Sequence, residues 1–216
     1  TLAADRVGDK DAVMKYAQYA LKDKENGQFA MQLLTDAYKA KGDTAKWVEK
    51  LQEGIVKFPE NQYFFANLVD YYSSSNQNDK AMQFADDMLA KDPNNKLYLY
   101  VKAYLYHNMK DYEKAIEFYK KTLDIDPAYA EACSNLGLVY LLQAQEYADK
   151  APADINDPNS ATAQAEIKKF YEAAKPYYEK ARELKPDQKD LWLQGLYRVY
   201  YNLNMGPEFE EIEKMM

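Results

Sequence analysis

Thiol and imidazole are scarce in this sequence: Cys133 is the single cysteine and His107 the single histidine among 216 residues. A lone thiol excludes an internal disulfide framework and leaves the redox compartment open. One thiol and one imidazole also leave few parts for zinc binding or nucleophilic catalysis. Neither HExxH, GxSxG nor a Gly-rich phosphate loop occurs. Positive charge is in deficit too, with 28 Lys and Arg against 35 Asp and Glu, a net charge of -7. Such a field repels phosphate backbones and anionic lipid, so no nucleic acid partner is expected. Long apolar runs are missing. The longest, LGLVYLL at 136–142, falls far short of the roughly 18 residues of a membrane span, so no membrane insertion is expected. The sequence opens on Thr1 without a signal-peptide pattern, and the start of the natural protein is therefore expected to precede it.

Only 7 Gly and 8 Pro interrupt the chain, whereas Tyr reaches 21. With Ala, Lys, Glu, Leu and Gln filling most of the rest, the composition predicts an all-α protein. Pro59, Pro93 and Pro127 recur every 34 residues. In blocks aligned on them, Leu34, Leu68 and Leu136 share the seventh position, and Tyr38, Tyr72, Tyr106 and Tyr140 the eleventh. Ala81 and Ala115 share the twentieth, joined by Ala174 once a later interruption is set aside. Each block holds two helical periodicities around a short turn, such as KGD at 41–43 or MKD at 109–111. Small residues such as Ala81, Ala103, Ala115 and Gly137 let the two helices approach. The proline stops the second helix, because the residue before it avoids helical dihedrals. One pair cannot bury its apolar face alone, so the pairs must stack.

This period, with its series of Leu, Gly or Ala, Tyr, Ala, aromatic and Pro, resembles the tetratricopeptide repeat. The fullest match is KLYLYVKAYLYHNMKDYEKAIEFYKKTLDIDPAY at 96–129, where Ala103, Tyr106, Asp111, Tyr112, Ala115, Tyr119, Leu123 and Pro127 stand in family positions. The resemblance implies a right-handed α-α superhelix of stacked antiparallel pairs, a single solenoid over residues 1–216. Its expected units are a partial repeat at 1–27, repeats at 28–61, 62–95 and 96–129, an expanded repeat at 130–188, and a degenerate capping pair at 189–216. Residues 1–27 are expected to begin inside a repeat, with Val13 where a small residue belongs. Trp47 replaces the small residue at the twentieth position of its block, which predicts that this pair splays or shifts register. A looser similarity to exported bacterial, Bacteroidetes-type, repeat proteins tips the expected compartment towards the periplasm or cell envelope.

The interruption is DKAPADINDPNSATAQAEIK at 149–168. Pro186 follows Pro127 by 59 residues, one period plus 25. Leu136, Tyr140, Ala144 and Tyr147 continue a stripe past the usual end of a first helix, until Ala151-Pro152 argues for a stop. Asp157 followed by Pro158 reads as an N-cap, with Ser160 as a second candidate. Ile167, Tyr171, Ala174, Tyr178 and Ala181 then form one helical face. A helical projection with APADIND at its tip is predicted, with a kink or break at 173–176 because Pro176 removes a backbone hydrogen bond. DIND invites a calcium reading, but Pro158 and Ala165 occupy ligand positions of the calcium loop, so no metal is expected.

No cofactor or catalytic residue is expected either. His107 and Cys133 are offset by eight residues on neighbouring first helices, about 12 Å along the axis, too far for a dyad. The resemblance implies that the concave face binds a protein or peptide. Carried over residue by residue, its groove positions give Asp36, Asn67, Asp70, Tyr100, Tyr104, His107, Asn108 and Asn135. Asn67 and Asn135 share the sixth position, where an amide could bond an extended backbone. The basic residues of the family's carboxylate clamp are absent: Gln32, Ala66, Tyr100 and Ser134 stand at the fifth position, and Ala40, Ser74, Asn108 and Leu142 at the thirteenth. The primary expectation is a non-enzymatic peptide-binding scaffold with a preference for apolar or basic segments. The tyrosine surplus supports an alternative, a glycan-binding or envelope-assembly module.

Overall fold

A computed structural model describes residues 8–22, 26–152, 154 and 157–216. Eleven α-helices occur among them: α1 Lys10–Ala20, α2 Gly27–Ala40, α3 Thr44–Lys57, α4 Gln62–Ser74, α5 Asn78–Lys91, α6 Lys96–Asn108, α7 Tyr112–Ile125, α8 Ala130–Lys150, α9 Ser160–Leu184, α10 Leu193–Asn202 and α11 Gly206–Glu213. One 3-10 turn, Lys189–Leu191, precedes α10. The chain is all-α and built of packed helix pairs, as its composition predicts. It divides into two compact units, Thr1–Gln83 and Phe84–Met216.

The connections within pairs share one geometry, and it keeps the 34-residue period more strictly than the side chains do. Gly8, Gly42, Asn76 and Lys110 have φ of 74°, 72°, 54° and 60°, the left-handed conformation that reverses a chain after a helix. The next residue's N–H closes the turn onto a tyrosine carbonyl five residues back: Asp43 to Tyr38 at 3.1 Å, Gln77 to Tyr72 at 2.7 Å and Asp111 to Tyr106 at 2.9 Å. Aspartate then caps the following helix, as Asp9 accepts from Ala12 N, Asp43 from Lys46 N and Asp111 from Lys114 N. Asn204, with φ of 54°, and the Met205 N–H on Tyr200 O at 3.0 Å repeat the device between α10 and α11.

In the first unit α1 packs on α2, α2 on α3 and α3 on α4. Val13, Leu33 and Ala37 form one core cluster, and Ala17, Ala30 and Leu34 another. Val13 is fully buried in its small-residue position. Trp47 is also buried, edge-on to Tyr71 at 5.4 Å and with Lys39 Nζ 4.8 Å over its ring. α2 and α3 still pack directly around it. Gly54 gives α4 its approach, since a Cβ there would fall 2.4 Å from Phe64 Cδ1.

In the second unit α6 packs on α7, α7 on α8, α8 on α9, α9 on α10 and α10 on α11. The turn due 34 residues after Lys110 would fall at Ala144, yet α8 runs straight through and Ala144 is fully buried. α8 and α9 reach 21 and 25 residues. They run antiparallel: Tyr140 stacks on Tyr177 with ring centroids 6.0 Å apart, and Tyr147 meets Phe170 at 6.2 Å. α8 stops at Ala151, which is extended before Pro152.

Two expectations about the interruption are corrected. α9 starts at Ser160 with Asn159 at its N-cap and no side-chain cap bond, so neither Asp157 nor Ser160 caps it. Asp157 instead accepts from Asn159 N at 2.8 Å, and the Ser160 hydroxyl donates to Asp154 O at 2.6 Å, so both stabilise the turn that carries Pro158. The other correction concerns Pro176, through which α9 continues without a break. Pro176 and Glu172, whose carbonyl loses its helical partner, are both exposed, which leaves that side of the helix open to solvent. Buried Ala174, Tyr178 and Ala181 hold the opposite face.

Candidate functional site

The groove positions of the first unit lie on α2 and α4. Asp36 is exposed and accepts a hydrogen bond from the Tyr63 hydroxyl. Thr35, fully buried, lies 3.2 Å from the same hydroxyl and donates to Gln32 O at 2.7 Å. Asn67 donates to Tyr63 O at 2.9 Å, and its Oδ1 accepts from Lys39 Nζ at 3.3 Å. The structure thus joins Asp36, Lys39 and Asn67 through Tyr63. Burial first, then the bond to Asp36, hold the Tyr63 hydroxyl well above the ordinary tyrosine range, so it stays a donor. Asp70 is exposed, with no hydrogen bond or ion pair to another described residue. Tyr63 was missed from sequence, although it occupies the second position of its block, another groove position of the family.

In the second unit the groove positions lie on α6 and α8, and they do not form one open surface. Tyr100 is 6% exposed, stacked on Tyr129 at 4.9 Å and packed against Tyr119 at 5.8 Å. Its hydroxyl accepts from Asn135 Nδ2 at 2.8 Å. Burial, with neighbouring phenols and Glu131 adding to it, drives its pKa far above the ordinary range. Tyr100 therefore packs in the core and positions Asn135. Tyr104 is half-buried and meets the His107 ring edge-on at 6.1 Å. His107 lies in the last turn of α6, where burial lowers its pKa. Its Nδ1 is buried without a hydrogen-bond partner among the described residues. Asn108 is exposed at the end of the helix.

Cys133 is 2% exposed inside a core cluster with Leu141, Tyr178 and Trp192. Burial pushes its thiol up to about 11, which suits a packing residue and not a nucleophile. No group of three or more His, Cys, Asp or Glu side chains placed to hold a metal ion occurs among the described residues. The DIND motif lies partly outside them, at residues 155 and 156. No helix among the described residues is long and apolar enough to cross a membrane.

Two family models match the chain, one described as TPR repeat at residues 103–143 and one as tetratricopeptide repeat at 84–117. No curated protein matches it in sequence. Among solved structures, PilW, a widely conserved type IV pilus biogenesis factor, superposes with a TM-score of 0.60 at 16% identity, over 99% of this chain and 87% of PilW. The MamA protein gives 0.55 at 16% identity, over 88% and 90%. Human IFIT1, solved as a dimer with m7Gppp-AAAA, gives 0.65 at 18% identity over 96% of this chain, which spans 46% of IFIT1. Likenesses this distant in sequence carry the fold alone. The repeat models place tetratricopeptide repeats at residues 84–143, and with the packed helix pairs described above the chain is an all-α repeat protein.

Proposed function

We propose that this protein is a non-enzymatic scaffold that holds a protein or peptide segment against its first helices. The observation that carries the reading is the tied cluster of Asp36, Lys39, Asn67 and Tyr63 on α2 and α4. A peptide backbone needs donors and acceptors already held in place, because ordering loose side chains on binding costs affinity. Asp36 and the unpaired Asp70 favour a basic or polar segment over an acidic one. Tetratricopeptide repeats are typically protein-binding scaffolds, which supports the same class of partner. The net charge of -7 argues against extending the nucleotide-bearing ligand of IFIT1 to this chain.

The test is an array of extended peptides of varied charge, probed with the labelled protein and with its Asp36→Asn, Asp70→Asn double variant. Binding to Lys- and Arg-containing peptides should fall roughly tenfold in the variant, about 1.4 kcal/mol. Equal binding by both proteins would remove the groove from the proposal. Binding to a glycan array with none to peptides would replace it with the glycan-binding alternative.

A further inference from the structure

The overrun of α8 and α9 creates a pocket. It has a volume of about 490 Å³ and lies between the α6–α7 turn at Lys110–Tyr112 and the part of α8 and α9 beyond Ala144. Its aromatic walls are Tyr112, Tyr147 and Phe170, of which Tyr147 and Phe170 touch and Tyr112 is buried. Without the extra turns of helix, Glu146, Tyr147, Lys150 and Phe170 would not be there to line it.

Its lining carries three carboxylates, Asp111, Glu113 and Glu146. Gln143 also lines it, with its Oε1 buried away from solvent and without a hydrogen-bond partner among the described residues. Half-buried Glu146 and exposed Glu113 form no ion pair with a described residue. The Glu146 charge is nevertheless felt inside, where, after burial, it raises the Tyr112 hydroxyl above its ordinary pKa. Asp111 is already paired with Lys114 at 2.8 Å. Lys110 and Lys150 also line the pocket; both are exposed and form no ion pair with either glutamate. The two glutamates thus favour a cationic donor, and the rings offer it π faces.

We propose that this pocket seats an arginine side chain from an extended segment of a partner protein, its guanidinium on Glu146 and Glu113 and its stem against Tyr147 and Phe170. Arginine fits better than lysine, because a flat guanidinium stacks on rings while donating in a fork to a carboxylate. The inference rests on the scaffold reading and adds a second, separate contact to it.

The test uses the full chain, isotopically labelled, titrated with an acetylated and amidated Gly-Gly-Arg-Gly-Gly peptide and with its norleucine and glutamate counterparts. Saturable shifts of the Gln143 side-chain amide and of the Lys110 and Asp111 backbone amides are expected with the arginine peptide alone. The dissociation constant should rise roughly tenfold in Glu146→Gln and stay unchanged in Glu208→Gln. Should Glu146→Gln lower the melting temperature, Glu113→Gln supplies the same comparison. Equal shifts from the norleucine peptide, an unchanged constant in the glutamate variants, or no saturable shift would each overturn the proposal. The Asp36→Asn, Asp70→Asn variant separates the two readings: it should keep the pocket shifts while losing array binding, and failure of one measurement leaves the other standing.

Discussion

The ring of Tyr178 in α9 lies against the bare backbone of Gly195 in α10: a Cβ on Gly195 would fall 2.2 Å from Tyr178 Cε1. Gly137 of α8 meets the same ring from its own helix, where a Cβ would come within 2.7 Å of Cε2. One tyrosine thus joins three helices, and both of its neighbours must lack side chains. Replacing Gly195 by Ala gains about 1 kcal/mol of helix propensity but forces a buried ring to move, an overpacking cost of up to about 3 kcal/mol. We expect a net loss of about 2 kcal/mol in Gly195→Ala, read as a lower melting temperature by circular dichroism. Gly206→Ala, which has open space around its Cβ, should show no loss.

Lys110 occupies the left-handed turn position that Gly8 and Gly42 fill elsewhere. A side chain there costs about 1–2 kcal/mol, while glycine adds about 0.5–1 kcal/mol of unfolded-state entropy. Lys110→Gly should therefore stabilise the protein by roughly 0.5–1 kcal/mol, and Gly42→Ala should destabilise it. Urea midpoints for the two variants should move in opposite directions.

Pro176 is exposed and sits inside a continuous helix. Restoring the N–H in Pro176→Ala should raise stability by about 2 kcal/mol, within the roughly 3 kcal/mol that an interior proline costs. No change in the urea midpoint would mean that the helix already absorbs the defect without cost.

Burial lowers the His107 pKa below its ordinary 6.5, so the folded state favours the neutral ring. The unfolded chain then binds more protons across the interval between the two pKa values. The stability this contributes is present above pH 6.5 and is lost as pH falls through the folded value. Comparing urea midpoints at neutral and mildly acidic pH, the decline should be smaller in His107→Gln than in the parent. An equal decline would assign the acid sensitivity to other groups.

Much of the fold was legible because the repeat prints the same contacts every 34 residues. Leu34, Leu68 and Leu136 are all at most 2% exposed, and Ala81, Ala115 and Ala174 at most 3%. Of the kink or break expected at Pro176, the break is absent, since the rest of α9 holds the helix on both sides of the proline. The capping of α9 was misread because Ser160 and Asp157 close a turn back to Asp154 and do not bond the helix end.

The groove residues were less legible. Position within a repeat selected Tyr100 as a surface contact, but Tyr119 and Tyr129 surround it. Tyr63, which gathers Asp36 and Asn67, carries no local signal of that role beyond its place in the block. The pocket under Tyr147 and Phe170 joins residues as much as 60 positions apart, from Lys110 to Phe170.

The sequence by itself determined the helices, their turns and the small residues between them, because these depend on contacts a few residues apart and on a strict period. Only the tertiary structure decided which tyrosines are core and which polar groups remain unpaired. Burial is set by what packs from other helices, as Tyr119 and Tyr129 pack around Tyr100.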